Sequence, residues 1–474
     1  MKTESLPARL EAVTAALDAH GQSQLLEGLD HDNEAMVEGF VNQVESIDLD
    51  EIAALIATSG AATTSDGDQT IEPAQVVARH PEGEEGFREA GEALIREGGV
   101  AAFTVAGGQG TRLGWNGPKG TYPATPITGK PLFRVFAEQL SAIDDRYGVV
   151  TPWYLMTSPL NDADTRSFFL DNNWFGRDPE SILMFPQGVM PAVDDDGRLM
   201  LAAPGVLAVN PDGHGGSLRA LHRSGALEHA RSRGVKHLSY FQVDNPTVRT
   251  IDPVFLGLHV GHPDSSAEMS SKMVPKADPA EKVGVFCRID GRTEVIEYSD
   301  LPAELAEATD AEGRIRFNAG SIAIHVLGVD FIERLTSGAT ETGLPFHRAR
   351  KKVPYWNPAT GETGAPSEPN ATKFAMVVFV ALRSAQAGLV QETDRVEEFA
   401  PIKNAEGTDS AVSSSALQTE RAARWMERAG AAIPRSSDGA VEGRIEIAAA
   451  TALEARDLAG HTLPAMTAGQ DLVL

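Results

Sequence analysis

Apolar residues along this chain follow two alternating rhythms. From Val100 to Ala106, Trp153 to Thr157, Ile182 to Phe185 and His237 to Val243 they form short unbroken runs, as in strands covered on both faces. Between these runs the spacing turns helical: Leu132, Phe136, Leu140 and Ile143 fall on one stripe. Such alternation predicts an α/β fold with a mostly parallel sheet and helices on both of its faces. Around Asp290-Gly291 the flanks "VGVFCRI" and "TEVIEYS" enclose a tight-turn dipeptide, which predicts a β-hairpin.

Three consecutive regions follow from the same patterning. Residues 1–97 are polar and helical, with amphipathic runs from Pro7 to Leu26 and from Glu34 to Ile56, then a loose "TSGAATTSDGDQ" linker; no candidate chemistry lies there. Residues 98–396 hold the alternating core. Residues 397–474 form a small C-terminal domain with one helical stretch, Ser413 to Ala429, and a strand-like "GRIEIAA". The length of 474 residues accommodates about three domains, and no internal repeat is evident.

Charge narrows the partners. Lys plus Arg total 41 against 67 Asp plus Glu, a net charge of −26, which argues against nucleic acid or an anionic membrane as partner because such surfaces call for basic patches. No basic segment followed by an apolar one opens the chain and no stretch approaches the ~20 apolar residues of a membrane span, so a cytoplasmic protein is expected. Cys287, the one cysteine, excludes an internal disulfide and reads as a buried strand thiol within "VGVFCRI". His259 and His262 lack metal-ligand spacing and read as packing or surface residues, and Asp194-Asp195-Asp196 before Gly197 reads as a solvated turn.

Against this acidic background, "FTVAGGQGTRLGWNGPKGTYP" (Phe103 to Pro123) stands out. A buried strand opens into Gly107, Gly108 and Gly110, whose uncovered N–H groups suit an anionic phosphate, and the cations Arg112 and Lys119 follow. A dinucleotide fingerprint starting at Gly108 would need glycine where Leu113 stands. A P-loop would need Gly-Lys-Ser/Thr, whereas Lys119 lies between Pro118 and Gly120, and Gly129-Lys130 runs into Pro131.

The pattern GGxGTRLG with a following PKG is similar to the loop of UTP-dependent sugar-nucleotide pyrophosphorylases. The resemblance extends through "FPQGVMPAV" (Phe185 to Val193), "NPDGHGGSLRAL" (Asn210 to Leu221), "QVDNP" (Gln242 to Pro246), "VGVFCRIDGRTEVIEYSD" (Val283 to Asp300), "FNAGSIAIH" (Phe317 to His325), "KKVPY" (Lys351 to Tyr355) and "FAPIKNAEGTDS" (Phe399 to Ser410). In this order, over some three hundred residues, these segments resemble the UDP-N-acetylglucosamine pyrophosphorylase branch. The resemblance implies a Rossmann-like nucleotidyltransferase core with an inserted antiparallel portion at the sugar. It also implies UTP and a sugar 1-phosphate as substrates and Mg²⁺ as cofactor.

The residues acquire roles on the same basis. Arg112, Lys119 and Lys403 would neutralise phosphate charge, Lys403 by resemblance alone, since nothing around it marks it. Asp244, at the carboxyl edge of the predicted strand, would bind nucleotide through Mg²⁺, which needs only one or two protein carboxylates. The resemblance assigns Gly107, Gly108, Gln187 and Gly213 to the nucleotide and His214, Gly284, Glu297 and Asn318 to the sugar.

One position departs from the branch. His214 stands where the N-acetylglucosamine enzymes usually carry asparagine, while Gly216 and "QGVMPAV" favour the N-acetylhexosamine side. The expected activity is therefore uridylyl transfer to N-acetylglucosamine 1-phosphate, with glucose 1-phosphate or a broader set of sugars as the alternative. Two rivals are a non-catalytic nucleotide-sugar sensor, which need not retain Arg112, Lys119, Asp244 and Lys403 together, and an NAD-linked oxidoreductase, which the broken fingerprint at Leu113 disfavours.

Overall fold

The computed structural model describes residues 5–57, 69–337, 346–358 and 360–474. The "TSGAATTSDGDQ" linker lies, but for its last residue, outside the described residues. By contacts the chain forms two compact units: one from Met1–Asp68, Gly188–Gly216 and Leu344–Val378, the other from Gln69–Gln187, Ser217–Gly343 and Phe379–Leu474. This division cuts across the three consecutive regions read from the sequence.

The larger unit is built on one ten-stranded sheet. Its strands are β1 (Ile71–Pro73), β2 (Val100–Val105), β3 (Trp153–Thr157), β4 (Ile182–Pro186), β5 (His237–Gln242), β6 (Met269–Pro275), β7 (Val285–Ile289), β8 (Arg292–Ile296), β9 (Ala319–Gly328) and β10 (Gly388–Glu392). The four apolar runs become parallel neighbours in the order β5-β2-β3-β4. Next to β5 lies β9, antiparallel to it and to β6, and β6 in turn pairs with β10 in parallel. Hence β2 to β6 and β10 all run the same way, and their carboxyl ends share one edge.

The helical stripe forms as expected in helix α1 (Leu132–Tyr147), with Leu132, Phe136, Leu140 and Ile143 all buried in the main core. Gly148, at φ 68°, stops this helix in the left-handed conformation open to glycine. Strands β7 and β8 form the expected hairpin, Ile289 pairing with Arg292 across Asp290 (φ 49°) and Gly291 (φ 83°), a turn whose twist matches the strands. Cys287 is buried within β7, and burial pushes its thiol up to about 12. The C-terminal stretch gives helix α2 (Ala411–Arg428), opened by a Ser410–Ser413 capping box. Trp425, Met426, Ile445 and Leu472 make a small core of their own beside it.

The smaller unit explains the N-terminal helices. Val13, Leu17, Phe40, Val41 and Ile52 share a core with Met190, Val193, Leu201, Leu207 and Phe374, residues far away in sequence. Asp194 accepts hydrogen bonds from the N–H groups of Asp196 and Arg198, so the aspartate triplet forms the expected turn. Among the described residues no helix is long and apolar enough to cross a membrane.

Candidate active site

The shared carboxyl edge of the sheet collects most of the sequence-derived candidates, as in other open parallel sheets. After β2, Gly107 passes so close to Gln187, at the end of β4, that a Cβ there would lie 2.9 Å from Gln187 Oε1. Gln187 is itself buried, and its N–H donates to Thr157 O at 2.9 Å. The glycine loop and the amide predicted to read the base therefore meet. The loop closes on itself through Lys119 N to Gly108 O (3.1 Å) and Gly110 N to Gly117 O (2.9 Å). Arg112, on a single 3-10 turn from Thr111 to Leu113, is exposed, with no ion-pair partner among the described residues.

Lys119 reaches across to Asp244. Its Nζ lies 3.4 Å from Asp244 Oδ2, with side-chain exposures of 15% and 12%. Asp244 stands two residues beyond the last residue of β5 rather than ending it. Its carbonyl accepts from Ile402 N at 2.9 Å, and this bond brings the segment carrying Lys403 to the same strand end. Lys403 Nζ rests 5.1 Å from the Phe399 ring centroid and 3.4 Å from Asp409 Oδ2. Its side chain keeps more than a third of its surface exposed (36%), enough to turn toward a ligand.

Further along the edge, Gly284 lies against Glu297: a Cβ on the glycine would be 3.9 Å from Glu297 Oε2. Ser321 N donates to Gly284 O, while Asn318 O accepts from Lys276 N, both at 2.8 Å. Three of the four residues assigned to the sugar, Gly284, Glu297 and Asn318, thus gather around the start of β9.

Gly213 and His214 belong to the smaller unit. Gly213, at φ 86°, has Met376 O where a Cβ would come within 2.3 Å, so its backbone alone demands glycine. Val378 N donates to His214 Nδ1 at 3.2 Å, which leaves the ring's proton on Nε2, and burial lowers the ring's pKa to about 4. His214 is a neutral Nε2–H donor at neutral pH.

Two organising residues escape the sequence reading. Asn161 precedes a helix (Asp162–Asp171) yet does not cap it; its Nδ2 donates to Ala106 O (3.0 Å) and Gly108 O (3.2 Å), and its Oδ1 accepts from Ser158 N (2.7 Å), fixing the glycine loop. Asn245 donates to Glu398 O (2.6 Å) and accepts from Ala400 N (3.1 Å), anchoring the approach to Lys403. An asparagine in a cap position is the only local signal for the first, and none exists for the second. Ser158 Oγ, buried beside Gly107, has no hydrogen-bond partner among the described residues, an orphan that a ligand would satisfy. His259 is a packing residue, bonded to Ser270 Oγ at 2.8 Å and to His237 Nδ1 at 3.0 Å.

A magnesium site would rest on Asp244. Among the described residues no three His, Cys, Asp or Glu side chains cluster as metal ligands. A hard cation completed by water and phosphate oxygens needs no such cluster, and one buried carboxylate beside a phosphate cradle has the right chemistry.

Known proteins match this geometry. The sequence profile of the UTP–glucose-1-phosphate uridylyltransferase family fits residues 72–420. The chain is 37% identical to the UDP-N-acetylglucosamine pyrophosphorylase of Saccharomyces cerevisiae over 348 residues, 72% of either protein. It is 32% identical to UDP-N-acetylglucosamine diphosphorylase 2 of Arabidopsis thaliana over 450 residues, 90% of this chain and 86% of that one. The crystal structure of the Trypanosoma brucei UDP-N-acetylglucosamine pyrophosphorylase in complex with inhibitor superposes with a TM-score of 0.82, covering 97% of this chain and 95% of the other at 24% identity, which establishes a common fold. With the glycine loop, the sheet edge and the downstream segments all in place, the chain belongs to the UTP–glucose-1-phosphate uridylyltransferase family.

Proposed function

We propose that this enzyme transfers the uridylyl group of UTP to N-acetylglucosamine 1-phosphate, forming UDP-N-acetylglucosamine and pyrophosphate. The observation that carries the reading is the meeting of Lys119, Asp244 and the Lys403 segment beside a glycine loop. A phosphate oxygen of the sugar phosphate attacks the α-phosphorus and pyrophosphate departs, so no protein nucleophile is needed; the protein aligns the two substrates and neutralises charge. Lys119 and Arg112 serve the leaving pyrophosphate and Lys403 the α-phosphate. Gln187 offers one donor and one acceptor to the imide edge of uracil. Asp244 would hold Mg²⁺, whose chemistry there is charge neutralisation on phosphate oxygens.

The relatives named for N-acetylglucosamine support this sugar. His214 favours the second reading, glucose 1-phosphate or a relaxed set, because an Nε2–H donor serves a C2 hydroxyl or an acetamido carbonyl equally well. Pyrophosphate release from UTP with Mg²⁺ and a panel of sugar 1-phosphates tests both. The highest kcat/KM belongs to N-acetylglucosamine 1-phosphate; a higher value for glucose 1-phosphate establishes the alternative, and no release with any sugar overturns the reaction. Asp244→Asn abolishes the Mg²⁺-supported rate, and undiminished Mg²⁺ dependence removes Asp244 from the metal.

A further inference from the structure

Two lysines on β6 and its continuation are buried, and they are satisfied in opposite ways. Lys272 Nζ has Asp252 and both oxygens of Glu398 at 2.6–2.7 Å. Lys276, with the whole residue 7% exposed, has no carboxylate within 4.0 Å among the described residues, and its Nζ has one acceptor, Pro279 O at 2.8 Å. The acids of its own loop are engaged elsewhere: Glu281 binds Arg395 Nη2 and Ala277 N, each at 2.8 Å, and Asp278 accepts from Ala280 N at 2.7 Å. A buried ammonium with three donors and a single neutral acceptor is an incomplete site, because removal from water costs several kcal/mol unless an anion compensates.

Its position identifies that anion. Tyr240 of β5 and Ser271 of β6 both pair with His325 of β9 and the two strands run the same way, so the segments carrying Asp244 and Lys276, four and five residues further on, leave by the same edge, with a register shift in β6 between Ser271 and Met273. One strand separates them, a lateral distance of about 10 Å. Lys276 N is bonded to Asn318 O, and a Cβ on Gly320 would lie 3.5 Å from Lys276 Cγ, which puts the lysine at the start of β9 among the residues assigned to the sugar. We propose that Lys276 is a substrate-binding residue whose ammonium meets the phosphate of the sugar 1-phosphate. This rests on the uridylyltransferase reading and adds to it a cation on the acceptor side, opposite the Arg112 and Lys119 side that receives UTP.

The test is steady-state kinetics of Lys276→Met, Lys276→Gln and Lys276→Arg beside the wild type, each substrate varied at saturation of the other, with circular dichroism to confirm folding. Loss of one charge-assisted hydrogen bond raises the KM for the sugar 1-phosphate roughly 10–100-fold in the two neutral variants. The KM for UTP stays within about twofold, and the arginine variant recovers much of the loss. Unchanged KM values, an equal rise in both, or a fall in kcat alone overturns the proposal, as does failure of both neutral variants to fold, which would make Lys276 a structural group serving Pro279. A wild type inactive with every sugar phosphate defeats the reaction itself, an outcome distinct from variants that match a working wild type, and the proposal falls with it.

Discussion

Two lysine–carboxylate contacts in the larger unit differ in a way that separates scaffold from site. Lys272 sits 2.6 Å from both Asp252 and Glu398, all three side chains at least nine-tenths buried. Around it Trp425 Nε1 donates to Glu397 Oε2 at 2.8 Å, Arg249 stands 3.8 Å from Asp252 and from Glu397, and Arg421 Nη1 donates to Thr247 O. Burial lowers the Arg421 guanidinium to about 10. Lys119 and Asp244 make a single 3.4 Å contact at the sheet edge. The first contact is saturated by three short bonds; the second is a single longer one, which leaves both partners capacity for the phosphate and metal proposed above. The contrast predicts that the saturated charges serve the scaffold and the half-satisfied pair at the edge serves the reaction.

Breaking the saturated contact gives the largest effect. Lys272→Met leaves Asp252 and Glu398 buried without their cation and lowers stability by about 3–5 kcal/mol, read from denaturant midpoints. Residual activity at low temperature should retain the wild-type KM values, and a loss below about 1 kcal/mol would erase the distinction between the two contacts.

Breaking the loose contact inverts the pattern. Lys119→Ala loses roughly 10²–10³-fold in turnover, as for one preorganised donor, with a smaller stability change than Lys272→Met because it removes a single 3.4 Å contact. Arg112→Ala behaves likewise. Near-normal turnover in either variant would make that cation ordinary loop surface.

Asn161→Ala tests whether the loop depends on its support. Loss of the bonds to Ala106 O and Gly108 O should lower kcat/KM for UTP about tenfold, equivalent to one or two ordinary hydrogen bonds, while leaving the KM for the sugar phosphate in place. A uniform loss for both substrates would assign Asn161 to general stability.

The smallest effect concerns His214. Resemblance assigns it to the sugar's C2 substituent, and His214→Asn should raise the preference for N-acetylglucosamine 1-phosphate over glucose 1-phosphate by one hydrogen bond, about 0.5–1.5 kcal/mol or roughly threefold to tenfold. The ring's pKa of about 4 adds a sign. Its folded value lies below the unfolded one, so its stability contribution is complete above about pH 6.5 and is lost as pH falls toward 4. The sugar preference should therefore be flat from about pH 6 to 8, and an inflection there that disappears in His214→Asn would place a titrating imidazole on the substrate.

Much of the architecture was legible because its causes are local. The four apolar runs became the parallel strands and the stripe from Leu132 to Ile143 became a buried helix face, since side-chain period and burial are written into a few adjacent residues. The glycine loop was legible for the same reason. Asn245 was not, for its partners Glu398 and Ala400 lie more than 150 residues away. Asn161 was hidden differently: its sequence position is that of a helix cap, but the fold offered its amide two loop carbonyls instead.

The sequence by itself determined the alternating α/β order, the hairpin at Asp290-Gly291, the exclusion of the dinucleotide and P-loop motifs and, through its ordered segments, the family. Each depends on backbone preference or residue identity within a short window. Only the tertiary structure decided which lysines are saturated and which are not, since Lys272 and Lys276 are alike in sequence and differ by the carboxylates that distant strands and helices bring to them. It also fixed the proton of His214 on Nε2, through an N–H from Val378, 164 residues further along the chain. Electrostatic satisfaction is a property of the assembled surroundings, where distance in space and exclusion of water set the energy of a charge, and neither is encoded in the residues next to it.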